Sequence, residues 1–188
     1  MRARIDRHRG VALAIAAAVI IAGKVAYRHA SADELRWILA PTARLVGWVT
    51  GARFVYEPGA GYVDHGLGFV IAPVCAGLHF ALAGFLALTL GWLPAMTSAR
   101  AVATRLAGAA ALALAATPIV NGARIALAVL LRRGTISAGD VDPATLHEDL
   151  GVAVYLGGLC LLCALVRTVE ARRARARAAA GGGDVLVG

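Results

Sequence analysis

Leu106-Ala-Gly-Ala-Ala-Ala-Leu-Ala-Leu-Ala-Ala-Thr117-Pro118-Ile-Val-Asn121-Gly-Ala-Arg124-Ile-Ala-Leu-Ala-Val-Leu-Leu131 is the stretch whose reading decides the fold. It runs for 26 residues with only Asn121 and Arg124 strongly polar. A helix of about 20 apolar residues crosses the hydrocarbon core of a bilayer. Pro118 removes a backbone N–H from the middle of this helix, which predicts a kink there. Three further apolar runs lie on either side. Gly66–Leu93 holds only His79 as a strongly basic group, Val11–Val25 is interrupted by Lys24 near its end, and Gly151–Val166 has no charge. A fifth segment, Leu35–Val49, is weaker and carries Arg36, Pro41 and Arg44.

Composition agrees with this reading. The chain is 60% hydrophobic and 16% charged over 188 residues, against about half and a quarter in soluble domains. A soluble protein of this size could not bury so much apolar surface. The expected fold class is an all-α integral membrane protein with four transmembrane helices. An interfacial or re-entrant helix at Leu35–Val49 and a small outer-face hairpin, with strands near Arg53–Tyr56 and Gly68–Ile71, complete it. Residues 1–170 are expected to form one membrane-embedded domain, and residues 171–188 a basic tail without fixed structure. The first run follows basic residues but has no clean cleavage pattern after it, so it reads as a retained signal anchor.

Charge sets the expected orientation. Arg2, Arg4, Arg7 and Arg9 precede the first run; Arg167, Arg172, Arg173, Arg175 and Arg177 follow the last; Arg100 and Arg105 fall between the second and third. With four crossings all of these lie on one side, together with 3 acids, whereas the other side carries 8 basic and 8 acidic residues. The positive-inside rule makes the first side cytoplasmic. A tilted crossing by Leu35–Val49 would instead send the basic tail outside. The net charge of +8 sits at the ends of apolar runs, which suits anionic lipid headgroups rather than nucleic acid. Three cysteines make no disulfide framework, and Cys160 and Cys163 read as packing residues within the last run.

Three groups carry chemistry. Cys75 stands two residues after Pro73, where a first helical turn is expected; the dipole there favours a thiolate. Gly77 leaves room for a substrate backbone. Arg124 lies about 10 Å below the outer end of its helix by helical rise, with Asn121 one turn earlier on the same face. An arginine at that depth faces a partner or a wet cavity, or snorkels to the headgroups. His147, just before the last run, can shuttle a proton. Glu148 and Asp149 beside it either orient it or cap the helix. All three groups fall on the outer side. A thiol, a guanidinium and an imidazole together suit acyl transfer. Packing remains the alternative for Cys75. A zinc site from Cys75, His79 and His147 is a further option that the spacing does not demand, and no metal or cofactor is expected.

Pro73-Val-Cys75-Ala-Gly77-Leu, Asn121-Gly-Ala-Arg124-Ile-Ala-Leu, and His147 ahead of Gly151-Val-Ala-Val-Tyr155-Leu resemble the exosortase/archaeosortase family in order and spacing. The resemblance covers roughly Ile38–Val166 and is nearest to the compact exosortase K type. It implies a membrane-embedded cysteine transpeptidase or protease of the bacterial inner membrane. Cys75 would be its nucleophile, with Arg124 and His147 essential. Its substrates would be exported proteins ending in a short motif, a transmembrane helix and a basic cluster, cut at the extracytoplasmic face. Water, an amine or a lipid-linked acceptor would resolve the thioester. Two features depart from the family. His79 stands where a neutral residue such as Asn is expected; one turn from Cys75 on the same expected helix face, it is read as support for Cys75, with a spare base or a membrane-facing residue as the alternatives. The extra helices of larger exosortases are missing. The competing expectation is a non-enzymatic assembly factor or small transporter component, in which Arg124 binds an anionic solute or lipid.

Overall fold

A computed structural model describes the backbone of residues 2–134 and 143–181, and the side chains of residues 5–134 and 151–176. The elements in order are α1 Arg2–His29, α2 Arg36–Thr50, β1 Val55–Glu57, β2 Gly61–Asp64, β3 Phe69–Ile71, α3 Leu78–Trp92, α4 Ala99–Arg132 and α5 Pro143–Gly181. Four segments are long and apolar enough to cross a membrane: Ile5–His29, Pro73–Ala95, Ala99–Arg132 and Gly151–Ala176. Each overlaps one of the four apolar runs, the start of the second run belonging instead to β3 and its flanks, and the chain is a multi-pass helical membrane protein.

The decisive stretch forms the centre. α4 packs against α1, α2, α3 and α5. Small residues permit that close approach. Ala109 and Ala113 are buried with Phe85, Leu88 and Leu162, and a Cβ on Gly122 would come within 2.7 Å of Leu45 Cδ2. Ser98 caps the helix, its Oγ accepting from Ala101 N–H at 3.2 Å, and the helix runs unbroken through Pro118.

The helices are arranged so that alternate ends meet. Arg9 donates to the Pro94 carbonyl at 3.1 Å. Arg105 pairs with Glu170 and lies 5.1 Å over the Trp92 ring. The Arg9 end of α1 and the Glu170 end of α5 therefore share one end of the bundle, as four crossings require. Tyr27, Cys75, Asn121 and Tyr155 meet at the other.

That second end also holds α2 and the sheet. α2 buries Ile38, Leu39, Thr42, Ala43 and Val46, one helical stripe, against Ile125, Ala126 and Val129 of α4. Its 15 residues span about 22 Å, short of the roughly 30 Å hydrocarbon core. Ser31 and Glu34 form a reciprocal box: Ser31 N–H donates to Glu34 Oε2 at 2.8 Å, and Glu34 N–H to Ser31 Oγ at 3.3 Å. It closes the turn ahead of α2 rather than the helix itself.

Three strands replace the expected two. β2 pairs antiparallel with β1 and with β3. β2 was not expected because its four residues stand between two turn signals and include a glycine, which together read as loop. Asp64, at the end of β2, accepts from Arg53 N–H at 2.6 Å and from Leu67 N–H at 3.0 Å. Burial raises its carboxyl, but these N–H donors, Gly66 N–H and the Arg133 charge outweigh burial, so it titrates below the ordinary carboxylate value. A lowered native value means that the ionised form stabilises the fold above the unfolded value, and that this contribution is lost as pH falls through the native one. Exchange protection of the Arg53 and Leu67 amides, corrected for intrinsic rates, should therefore fall below about pH 3.8. Asp64→Ala should cost about 1 kcal/mol, the net worth of hydrogen bonds of this kind, and should abolish that pH dependence; a dependence that survives the substitution would place its origin elsewhere.

Two other expectations change. α1 begins at Arg2, so the basic lead before Val11 is helical. α5 continues through residues 171–181, so the segment expected to lack structure is helical that far. Residues 135–142, between α4 and α5, and the end of the tail, residues 182–188, lie outside the described residues.

Candidate functional site

Cys75 does not lie in the first turn of α3. Pro73–Cys75 form a separate 3₁₀ turn, where Cys75 N–H donates to the Ala72 carbonyl at 2.8 Å. Gly77 follows with φ of +73° and caps α3, which begins at Leu78. A left-handed residue ends the helical run, and dipole effects fade beyond the terminal turn. The first-turn argument for an activated thiol therefore loses its geometry. Cys75 is half-buried and packs against the cluster that includes Ile38, Ile71 and Ile125.

Two side chains hold this turn in place. Asn121 of α4 is completely buried, and its Nδ2–H donates to the Cys75 carbonyl. The Tyr27 hydroxyl, from α1, lies 3.0 Å from the Pro73 carbonyl and 2.9 Å from that of Val74. Asn121 is itself held by Tyr155 of α5, whose hydroxyl donates to Asn121 Oδ1 at 2.8 Å. The space at Gly77, expected to admit a substrate backbone, is taken by Asn121: a Cβ there would stand 2.8 Å from its Cβ and Cγ.

Arg124 lies one turn beyond Asn121. Its guanidinium is 5.2 Å over the Tyr155 ring, a cation–π geometry. Its Nε is buried and has no hydrogen-bond partner among the described residues. Such an orphan donor needs a reason, and a ligand oxygen is one that would satisfy it. The hydrogen bonds of Tyr27, Asn121 and Tyr155 and the stacking of Arg124 on the Tyr155 ring bring α1, the Cys75 turn, α4 and α5 to one locus.

The backbone of His147 lies in α5, and its side chain is outside the described residues, as are those of Glu148 and Asp149. Helical spacing puts His147 one turn before Gly151 on the same face. A Cβ on Gly151 would approach Arg124 Nη1 at 3.5 Å. His79 is exposed and meets Tyr27 edge-on, with ring centroids 5.5 Å apart. Gly77 breaks the helix between it and Cys75, so the expected one-turn relation to the thiol does not exist. Among the described residues no group of three His, Cys, Asp or Glu side chains could hold a metal ion.

Tyr27 and Tyr155 carry roles that sequence reasoning missed. A tyrosine within an apolar span brings a hydroxyl that needs a partner when buried, and that signal was available for both. Replacing Tyr155 with Phe should leave Asn121 Oδ1 unpaired and cost about 1–3 kcal/mol. The Cys75 turn should loosen and its thiol should label faster with a maleimide; an unchanged rate would show that Tyr155 does not steady the turn.

No family model, curated protein or solved structure matches this chain.

Proposed function

We propose that this protein is a membrane-embedded cysteine transpeptidase or protease that removes C-terminal sorting signals from exported proteins. The observation that carries the reading is the convergence of a half-buried cysteine, on a turn pinned through its own carbonyl, with an arginine whose buried Nε lacks a partner. In the proposed reaction the Cys75 thiolate attacks the scissile carbonyl carbon and Arg124 stabilises the oxyanion. The C–N bond breaks, the leaving amine takes a proton from His147, and a thioester remains. Water, an amine or a lipid-linked acceptor then attacks the thioester and restores the thiol.

The setting is the inner membrane of a bacterium, with both termini cytoplasmic and the Cys75 end of the bundle outside, in accord with the charge asymmetry. There α2 lies at the outer interface as a re-entrant or surface helix. The test is chemical. Cargo bearing a short motif, an apolar helix and a basic cluster should be trapped on Cys75 as an adduct that neutral hydroxylamine releases. Cargo processed at the normal rate by a Cys75-independent route would overturn the reading.

The orphan Nε of Arg124 favours one second reading, a non-enzymatic assembly factor or transporter component that binds an anion there. In that case a membrane-impermeant thiol reagent labels Cys75 slowly at every accessible pH, while Arg124 remains essential.

A further inference from the structure

Against the Cys75 turn, and sharing Tyr27 with the locus just described, lies a recess of about 340 Å³ lined by Lys24, Tyr27, Arg28, Pro73, Val74 and His79. Its size falls within the range of small-ligand sites. Lys24 and Arg28 are one turn apart near the end of α1 and both are exposed. None of Lys24, Arg28 and His79 pairs with a carboxylate among the described residues. Lys24 lies five residues before the end of α1, about 7 Å along the axis, at a depth from which a lysine reaches toward the headgroup layer. Two cations without a carboxylate partner among the described residues, a histidine and a tyrosine around one concavity at the membrane boundary make a site for a single anion. Arginine with lysine matches the tetrahedral oxygens of phosphate.

We propose that this recess binds an anionic phosphate group, supplied by a phospholipid headgroup or by a soluble phosphoester. The Tyr27 hydroxyl ties one wall to the carbonyls of Pro73 and Val74, so an occupant rests directly against the turn that bears Cys75. The inference does not depend on Cys75 being a nucleophile. Its readout is binding, and it is measured on full-length protein that also carries Cys75→Ala.

The probe is spin-labelled phosphatidylglycerol, in vesicles of phosphatidylcholine that contain the full chain. The protein should retain the anionic probe over a phosphatidylcholine probe. Lys24→Gln with Arg28→Gln should weaken that preference roughly tenfold, and His79→Gln should weaken it less. Both α1 positions are exposed, so the fold should survive; Arg172→Gln with Arg173→Gln, at the far end of α5, is the control. Displacement of the probe by millimolar glycerol 3-phosphate would identify a soluble phosphoester as occupant, and its failure to compete would identify the lipid; both results support a phosphate site. Equal retention by wild type and the Lys24/Arg28 variant, or an equal loss in the Arg172/Arg173 control, would overturn it.

Discussion

A host carrying Cys75→Ala should accumulate cargo with its C-terminal helix still attached, at a processing rate at least about 10³-fold below wild type. On the proposed mechanism, losses of that size follow because the thioester cannot form without the Cys75 thiol. The substitution should leave the fold intact. The contacts that secure the turn go to the backbone carbonyls of Pro73, Val74 and Cys75, so they survive loss of the thiol, and alanine fills most of the same half-buried space. Cys75→Ser keeps the geometry but offers a far weaker nucleophile at neutral pH, and should fall nearly as far. Arg124→Gln should cost about 10²–10³-fold, the usual size of a lost oxyanion donor. Pulse-chase of a tagged cargo, with each variant at wild-type abundance in the membrane, measures all three. Normal processing by the Cys75→Ala protein would remove Cys75 from the mechanism.

Gly77→Ala should be among the most damaging single-methyl changes in the chain. The residue has φ of +73°, and a side chain in the left-handed region costs about 1–2 kcal/mol. The new methyl would also collide with the buried Asn121 side chain at 2.8 Å, and overpacking of this kind adds about 1–3 kcal/mol. The total, about 2–5 kcal/mol, should appear as a lower unfolding midpoint in detergent and a faster maleimide reaction at Cys75. Gly59→Ala separates the two causes. Gly59 has φ of +79° with nothing within 4 Å of its Cβ position, so it should show the conformational cost alone. Equal shifts in the two variants would mean that Asn121 does not press on the Cys75 turn.

The four spans were legible in the sequence because hydropathy is a one-dimensional property: a bilayer selects for run length, whatever the partners. The charges of Arg9, Arg105 and Glu170 likewise foretold which ends would meet, since the cost of burying charge acts on each residue where it stands. The candidate residues Asn121 and Arg124 were legible as polar exceptions within an apolar run, and Cys75 from its place two residues after Pro73. Their connections were not. Asn121 and Cys75 are 46 residues apart, and Tyr155 and Asn121 are 34 apart; no local pattern encodes such pairings. His79 was read with Cys75 on the assumption that one helix carried both, and the left-handed Gly77 cancels that assumption.

The central stretch shows the division clearly. Leu106–Leu131 by itself determined a membrane-spanning helix with a polar notch at Asn121 and Arg124, because its apolar length leaves no other stable state in lipid. Only the tertiary structure decided what the notch does: Asn121 holds the cysteine turn, Tyr155 holds Asn121, and Arg124 is left with a buried, unpartnered Nε. The physical reason is packing. Alanine and glycine along α4 let α1, α2, α3 and α5 come close enough for side chains from distant parts of the chain to meet.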